Sequence, residues 1–108
     1  MLLRTLSLSM LFASGSCLAV PPQCAAAALN QAKKLLAFHS DGDDRAAVNT
    51  SVKRLPSLSN PANPKQKLTV LEVTGYVYKA EYRMRLVYFP IEGDCVLVGQ
   101  EILELASL

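Results

Sequence analysis

The chain has 108 residues, enough for one domain, and is 51% hydrophobic and 19% charged; a chain this apolar buries a core rather than staying disordered. Its formal net charge of +2 gives neither the basic excess of a nucleic-acid binder nor an acidic solvating tail. One His and three Cys are too few to converge on a protein-only metal centre, so neither a metal nor a cofactor is expected.

Residues 1–19 read as a signal peptide. Arg4 gives a short positive start, residues 6–13 an apolar run interrupted by Ser7 and Ser9, and Ala13-Ser14-Gly15-Ser16-Cys17 a small-residue end. That order marks a secretory leader. Cleavage after Ala19 fits Cys17-Leu18-Ala19, which has small residues at the first and third positions before the cut. The apolar run is about ten residues, half of the roughly 20 that a bilayer span needs, which weighs against a membrane anchor. Residues 20–108 then form a single mature domain, secreted and extracellular, with no membrane attachment once the leader is gone.

Two cysteines remain, Cys24 and Cys95. An even count in an oxidising compartment reads as one disulfide; two buried free thiols are the other reading. The bond would close a loop of about 70 residues and contribute about 4 kcal/mol in the chain-entropy model. Asn49-Thr50-Ser51 is an acceptor triplet for N-glycosylation in a polar stretch, which agrees with secretion.

In chain order, residues 24–38 read as a helix. Ala25, Ala28, Leu29, Ala32, Leu35 and Leu36 step by three and four, which puts them on one helix face. Asn30, Lys33 and Lys34 fall opposite. His39-Ser40-Asp41-Gly42 ends the helix with a turn signal. His39 at this exit reads as an exposed residue at the helix end, since no nucleophile accompanies it. Asp41, Asp43 and Asp44 open like a calcium loop, but the twelfth position is Val52 rather than Glu, so they read as a solvated acidic loop. Residues 45–66 hold Pro56, Pro61 and Pro64 among Ser and Asn and read as a long loop with at most a short extended or helical piece.

From Lys67 the period becomes two. Residues 68–73 are rich in β-branched side chains, and Thr74-Gly75 reads as a turn or bulge. Residues 76–88 then alternate nearly strictly and read as one long strand. All four tyrosines, Tyr76, Tyr78, Tyr82 and Tyr88, fall on its packed phase, and Lys79, Arg83 and Arg85 on its wet phase. The tyrosines read as core beneath the helix. The cations form a small strip, a candidate partner surface. Pro90-Ile91-Glu92-Gly93-Asp94 turns the chain, and a last strand begins at Cys95 with a bulge near Gly99. Residues 100–107 fit either a continuation of that strand or a short helix.

A signal peptide, one helix and a meander of antiparallel strands resemble the cystatin-like superfamily, which includes cystatins, fetuins, latexin and the cathelicidin pro-region. The likeness covers residues 24–105. Thr74-Gly75-Tyr76-Val77-Tyr78 entering the central strand, and Glu92-Gly93-Asp94-Cys95 opening the next, look most like a fetuin-type cystatin domain. The resemblance implies an α+β fold with one N-terminal helix packed on an antiparallel sheet.

Cystatins inhibit papain-like proteases by wedging three segments into the active-site cleft: a Gln-x-Val-x-Gly hairpin, a Pro-Trp hairpin and a glycine near the mature N-terminus. The nearest stretch to the first is Gly75-Tyr76-Val77-Tyr78-Lys79, there is no Trp, and the mature start reads Val20-Pro21-Pro22-Gln23. The fold implication survives these losses, and function does not follow from fold alone. What remains is a secreted, non-enzymatic cystatin-like module that binds an extracellular protein. Its narrower form is a protease inhibitor acting through a non-standard surface.

The alternative is a host-defence or signalling peptide precursor of cathelicidin or chemerin type, cut at Lys53-Arg54; no strongly basic tail follows Leu105. A small enzyme or lipid carrier needs a pocket with convergent polar groups. No nucleophile–base pair accompanies the tyrosines that would line one, so no catalytic residue is named. A small sheet with long edges also allows a monomer or a strand-exchanged dimer.

Overall fold

The structure, a computed structural model, describes residues 21–107; the signal-peptide reading of residues 1–19 lies outside them. Helix α1 spans Ala25–His39. Ala28, Ala32 and Leu36 are its buried residues, four apart and therefore stacked in one stripe. Two of the three are alanines, so the helix axis comes close to what it covers. No side chain caps the helix start, where Cys24 has φ 72°. At the other end Ser40 N–H donates to the Leu36 carbonyl and Gly42 N–H to the Ala37 carbonyl at 2.8 Å. Asp41 and Gly42 carry φ values of 57° and 76°, the left-handed ending that small and Asx residues allow.

Five strands follow: β1 Ala46–Val48, β2 Lys53–Asn60, β3 Asn63–Val77, β4 Ala80–Ile91 and β5 Asp94–Ser107. They form one antiparallel sheet in the order β1-β3-β4-β5, with β2 also paired to β3. The fold is α+β, a single helix on one face of an antiparallel sheet. β1 and β2 share one edge of β3: Val48 stands opposite Gly75, whereas Lys53 stands opposite Glu72.

Three expectations are corrected. Residues 45–66 are not a loop, because they contain β1, β2 and the start of β3. Pro56 fits because β2 is an edge strand whose pairing slips between Leu55 and Leu58, a place where a missing N–H breaks no ladder; Pro61 lies in the β2–β3 turn, and Pro64 lies where the β2–β3 pairing slips. Residues 76–88 are not one strand, because Tyr78-Lys79 turns the chain between Val77 and Ala80, with Tyr78 at φ 56°. The helix-facing side is therefore odd-numbered in β3 and even-numbered in β4, as Val73 opposite Met84 and Leu71 opposite Leu86 show. Gly75 is neither turn nor bulge. It pairs with Tyr82 inside the ladder, and a Cβ there would lie 2.8 Å from Met84 Cε and 2.9 Å from Leu36 Cδ2. This glycine is what lets α1 lie so close to the sheet.

The bulge expected near Gly99 is present: pairing slips between Val87 and Tyr88, leaving Val98 without a cross-strand partner. Residues 100–107 continue as strand. Leu36, Leu71, Val73, Met84 and Leu86 are the largest fully buried side chains, each worth about 1.5–3 kcal/mol over an exposed position. The core thus lies between α1 and the middle of β3 and β4.

Candidate binding surfaces

The antiparallel register decides which loops are neighbours. The β2–β3 turn at Pro61-Ala62 and the β4–β5 turn at Glu92-Gly93 lie at the same end of the sheet, because β3 leaves the first as β4 enters the second. Cys24 is bonded to Cys95, which ties the start of α1 to that end, while Pro21 and Pro22 line a cavity with Thr50, Ser51 and Val52. The two hairpin turns and the start of α1 thus share one end of the sheet. The last β3–β4 pair is Thr69 opposite Tyr88, so residues 63–68 pair with β2 alone and the β2–β3 hairpin projects. It carries its own ties: Asn60 Nδ2 donates to Gln66 Oε1 at 2.6 Å, Ala62 N–H to Asn60 Oδ1 at 3.0 Å, and Lys67 Nζ to Ser59 Oγ at 2.9 Å. Pro61, Ala62, Glu92 and Gly93 are exposed. Residues 75–79, the nearest match to a cystatin wedge hairpin, lie at the opposite end.

That opposite end holds a second cluster. Arg45 grips Asp43 through Nε at 2.9 Å and Nη2 at 2.7 Å. The Arg45 side chain and backbone N–H together hold the Asp43 carboxyl down at about 2. The Asp43 carboxylate is thereby committed to Arg45. The guanidinium also lies 4.7 Å from the centre of the Tyr78 ring, with Lys79 Nζ at 5.4 Å, and such cation–ring contacts steady a turn led by a non-glycine residue.

The three cations of the expected partner strip separate. Lys79 sits in the β3–β4 turn, while Arg83 and Arg85 project from the sheet face opposite α1. Arg85 Nε bonds Glu72 at 3.1 Å, and its Nη1 lies 3.9 Å from Glu101, so its charge is matched in place. The tyrosines separate as well. Tyr82 and Tyr88 are buried, and burial pushes the Tyr88 phenol up. Tyr76 and Tyr78 are 41% and 64% exposed, on the other sheet face and in the turn. His39 is exposed at the end of α1, its ring edge-to-face with Tyr82 at 5.2 Å.

Asn49 follows β1 at an exposed position; its Oδ1 accepts the Ser51 N–H at 2.8 Å. Lys53 and Arg54 are paired within β2, opposite Glu72 and Leu71. Sequence reasoning missed a groove of about 470 Å³ on the face away from α1, lined by Leu55, Pro56, Leu58, Val70, Val87 and Arg85 among others. The signal for it was that both phases of β3 and β4 carry apolar residues. Among the described residues no His, Cys, Asp and Glu group together as a metal site. No helix of the described residues is long and apolar enough to cross a membrane. Compared with family models, curated proteins and solved structures, the chain finds no match.

Proposed function

We propose that the chain is a secreted, non-enzymatic binding module of cystatin-like build. It holds an extracellular protein with the end that carries both hairpin turns and the segment entering α1. The observation behind this reading is that both turns and the start of α1 share one end of the sheet, each anchored independently: one by the Cys24–Cys95 bond, one by the side-chain ties of the β2–β3 hairpin, one by the β4–β5 ladder. Anchored loops lose little freedom on binding, which favours tight association over a small contact. The residues at these tips differ from the papain-directed wedge, so inhibition of a protease is the narrower form of the proposal.

Immobilised protein is used to capture partners from extracellular fluid, and the eluted partner is then titrated against variants. Ala62→Arg and Glu92→Arg are expected to weaken capture strongly, while Tyr78→Ser at the far end leaves it unchanged. A papain-like protease in the eluate, blocked in a peptide-cleavage assay, establishes the narrower form. A partner indifferent to both tip substitutions refutes the binding end.

A further inference from the structure

The sheet face turned away from α1 has no covering element among the described residues, yet it is not a wet face. The register places its side chains in rows that run across β2, β3, β4 and β5. One row reads Lys53, Glu72, Arg85, Glu101, with charge alternating plus, minus, plus, minus. The neighbouring row is apolar: Leu55, Val70, Val87 and Gly99. Beyond it Leu58 pairs with Leu68, and Phe89 with Val96. On the other side of the charged row, Thr74 stands opposite Arg83 and Tyr76 opposite Glu81.

Consider a second copy laid face to face on the first, related by a twofold axis parallel to the strands and passing between β3 and β4. Each row then meets itself in reverse order. Lys53 meets Glu101 of the second copy, and Glu72 meets Arg85. The Val70 position, 5% exposed within its own chain, meets the Val87 position across the grooves of the two copies, and Leu68 meets Phe89. The Tyr76 hydroxyl faces the Glu81 carboxylate. The Thr74 hydroxyl faces the Arg83 guanidinium. No row sets like charges together, whereas a row reading plus, minus, minus, plus would have done so at every position.

We propose that this face is the interface of a twofold homodimer in which two sheets pack face to face, about 10 Å apart and within about 30° of parallel. Such an interface must be self-complementary, and the charge order across the four strands has that property. Association also removes from water the apolar surface left exposed on this face: Leu58 is 52% exposed, Val96 39% and Val98 52%. No strand changes owner and both sheet edges stay free, so this dimer differs from a strand exchange. It does not depend on the partner-binding end, which lies beyond the rows.

Sedimentation velocity over a concentration series tests the proposal. Asn49→Gln protein is used, because a glycan beside Thr74 would crowd the rim. The protein is expected to dimerise. Lys53→Glu and Glu101→Lys each set like charges together at two symmetry-related places and are expected to weaken the dimer about tenfold. The double variant Lys53→Glu/Glu101→Lys restores opposite charges and is expected to recover the wild-type dissociation constant to within about threefold. Circular dichroism checks that all variants keep the fold. A protein that stays monomeric at about 100 µM, far above a micromolar dissociation constant, overturns the proposal. So does a dimer indifferent to the single substitutions, or a double variant no better than the singles.

Discussion

Gly75→Ala tests whether the approach of α1 to the sheet is set by one missing methyl group. The φ of Gly75 is not positive, so alanine fits the backbone, and stiffening the unfolded chain contributes about 0.4–1 kcal/mol in its favour. Against this, the new Cβ would sit 2.8 Å from Met84 Cε, 2.9 Å from Leu36 Cδ2 and 3.4 Å from the Ala47 carbonyl oxygen. Carbon atoms in contact prefer about 3.5–4.0 Å. Both clashing atoms are side-chain ends, but Met84 and Leu36 are 0% and 1% exposed, so they yield only by repacking the core beneath α1. Overpacking of this kind costs about 1–3 kcal/mol. The clash outweighs the entropy gain, and a net loss of about 0.5–2 kcal/mol is expected.

Urea unfolding followed by far-UV circular dichroism measures that loss, and an unchanged slope shows that stability rather than compactness has changed. A double-mutant cycle makes the cause specific. Leu36→Ala alone is expected to cost about 2–5 kcal/mol. In the Leu36→Ala background the added methyl at residue 75 has room, so the pair should be less destabilised than the sum by about 1 kcal/mol. A Gly75→Ala protein as stable as the wild type, or strict additivity with Leu36→Ala, refutes the reasoning.

Two further outcomes follow from the geometry. Replacing Cys24 and Cys95 together by Ser is expected to cost about 4 kcal/mol by the loop-closure argument; a urea midpoint equal to that of the oxidised wild type contradicts it. In an NMR titration the Asp43 carboxyl is expected to titrate at about 2, against an ordinary 3.8. Because the folded-state value is the lower one, the stabilisation from this pair is complete above the ordinary value and is lost as the pH falls from there toward 2. Arg45→Ala should return Asp43 to the ordinary range, and a residue already titrating there in the wild type rejects the contact.

The helix was legible because its apolar positions and its ending follow rules that act within a few residues. Ala25–His39 differs from the expected 24–38 by one residue at each end. The Cys24–Cys95 pairing followed from an even cysteine count once residues 1–19 are read as a leader. The β3–β4 hairpin was hidden because its turn lacks the usual Gly or Asn. Tyr78 takes the positive φ itself, held by Arg45 from the turn before β1, and nothing local in sequence announces that contact. The alternation ran on across the turn, but a two-residue connection reverses which parity faces the helix, so Tyr76 was placed on the wrong face. β2 was hidden for a different reason. Its proline and polar residues are tolerated because it lies at an edge, and edge position is a property of the assembled sheet. The placement of the two hairpin tips at one end of the sheet, on which the proposed binding end rests, required that missing strand.

The bond between Cys24 and Cys95 also bears on the order in which the molecule is assembled. The two residues are 71 apart in sequence, with Cα atoms 5.8 Å apart in the folded chain. They meet only when α1 has docked and β5 has turned back to place Cys95 opposite Pro90. Contacts between such distant residues form late, after the entropy of closing the intervening chain has been overcome. Oxidation of this pair therefore seals a finished fold rather than guiding an unfinished one.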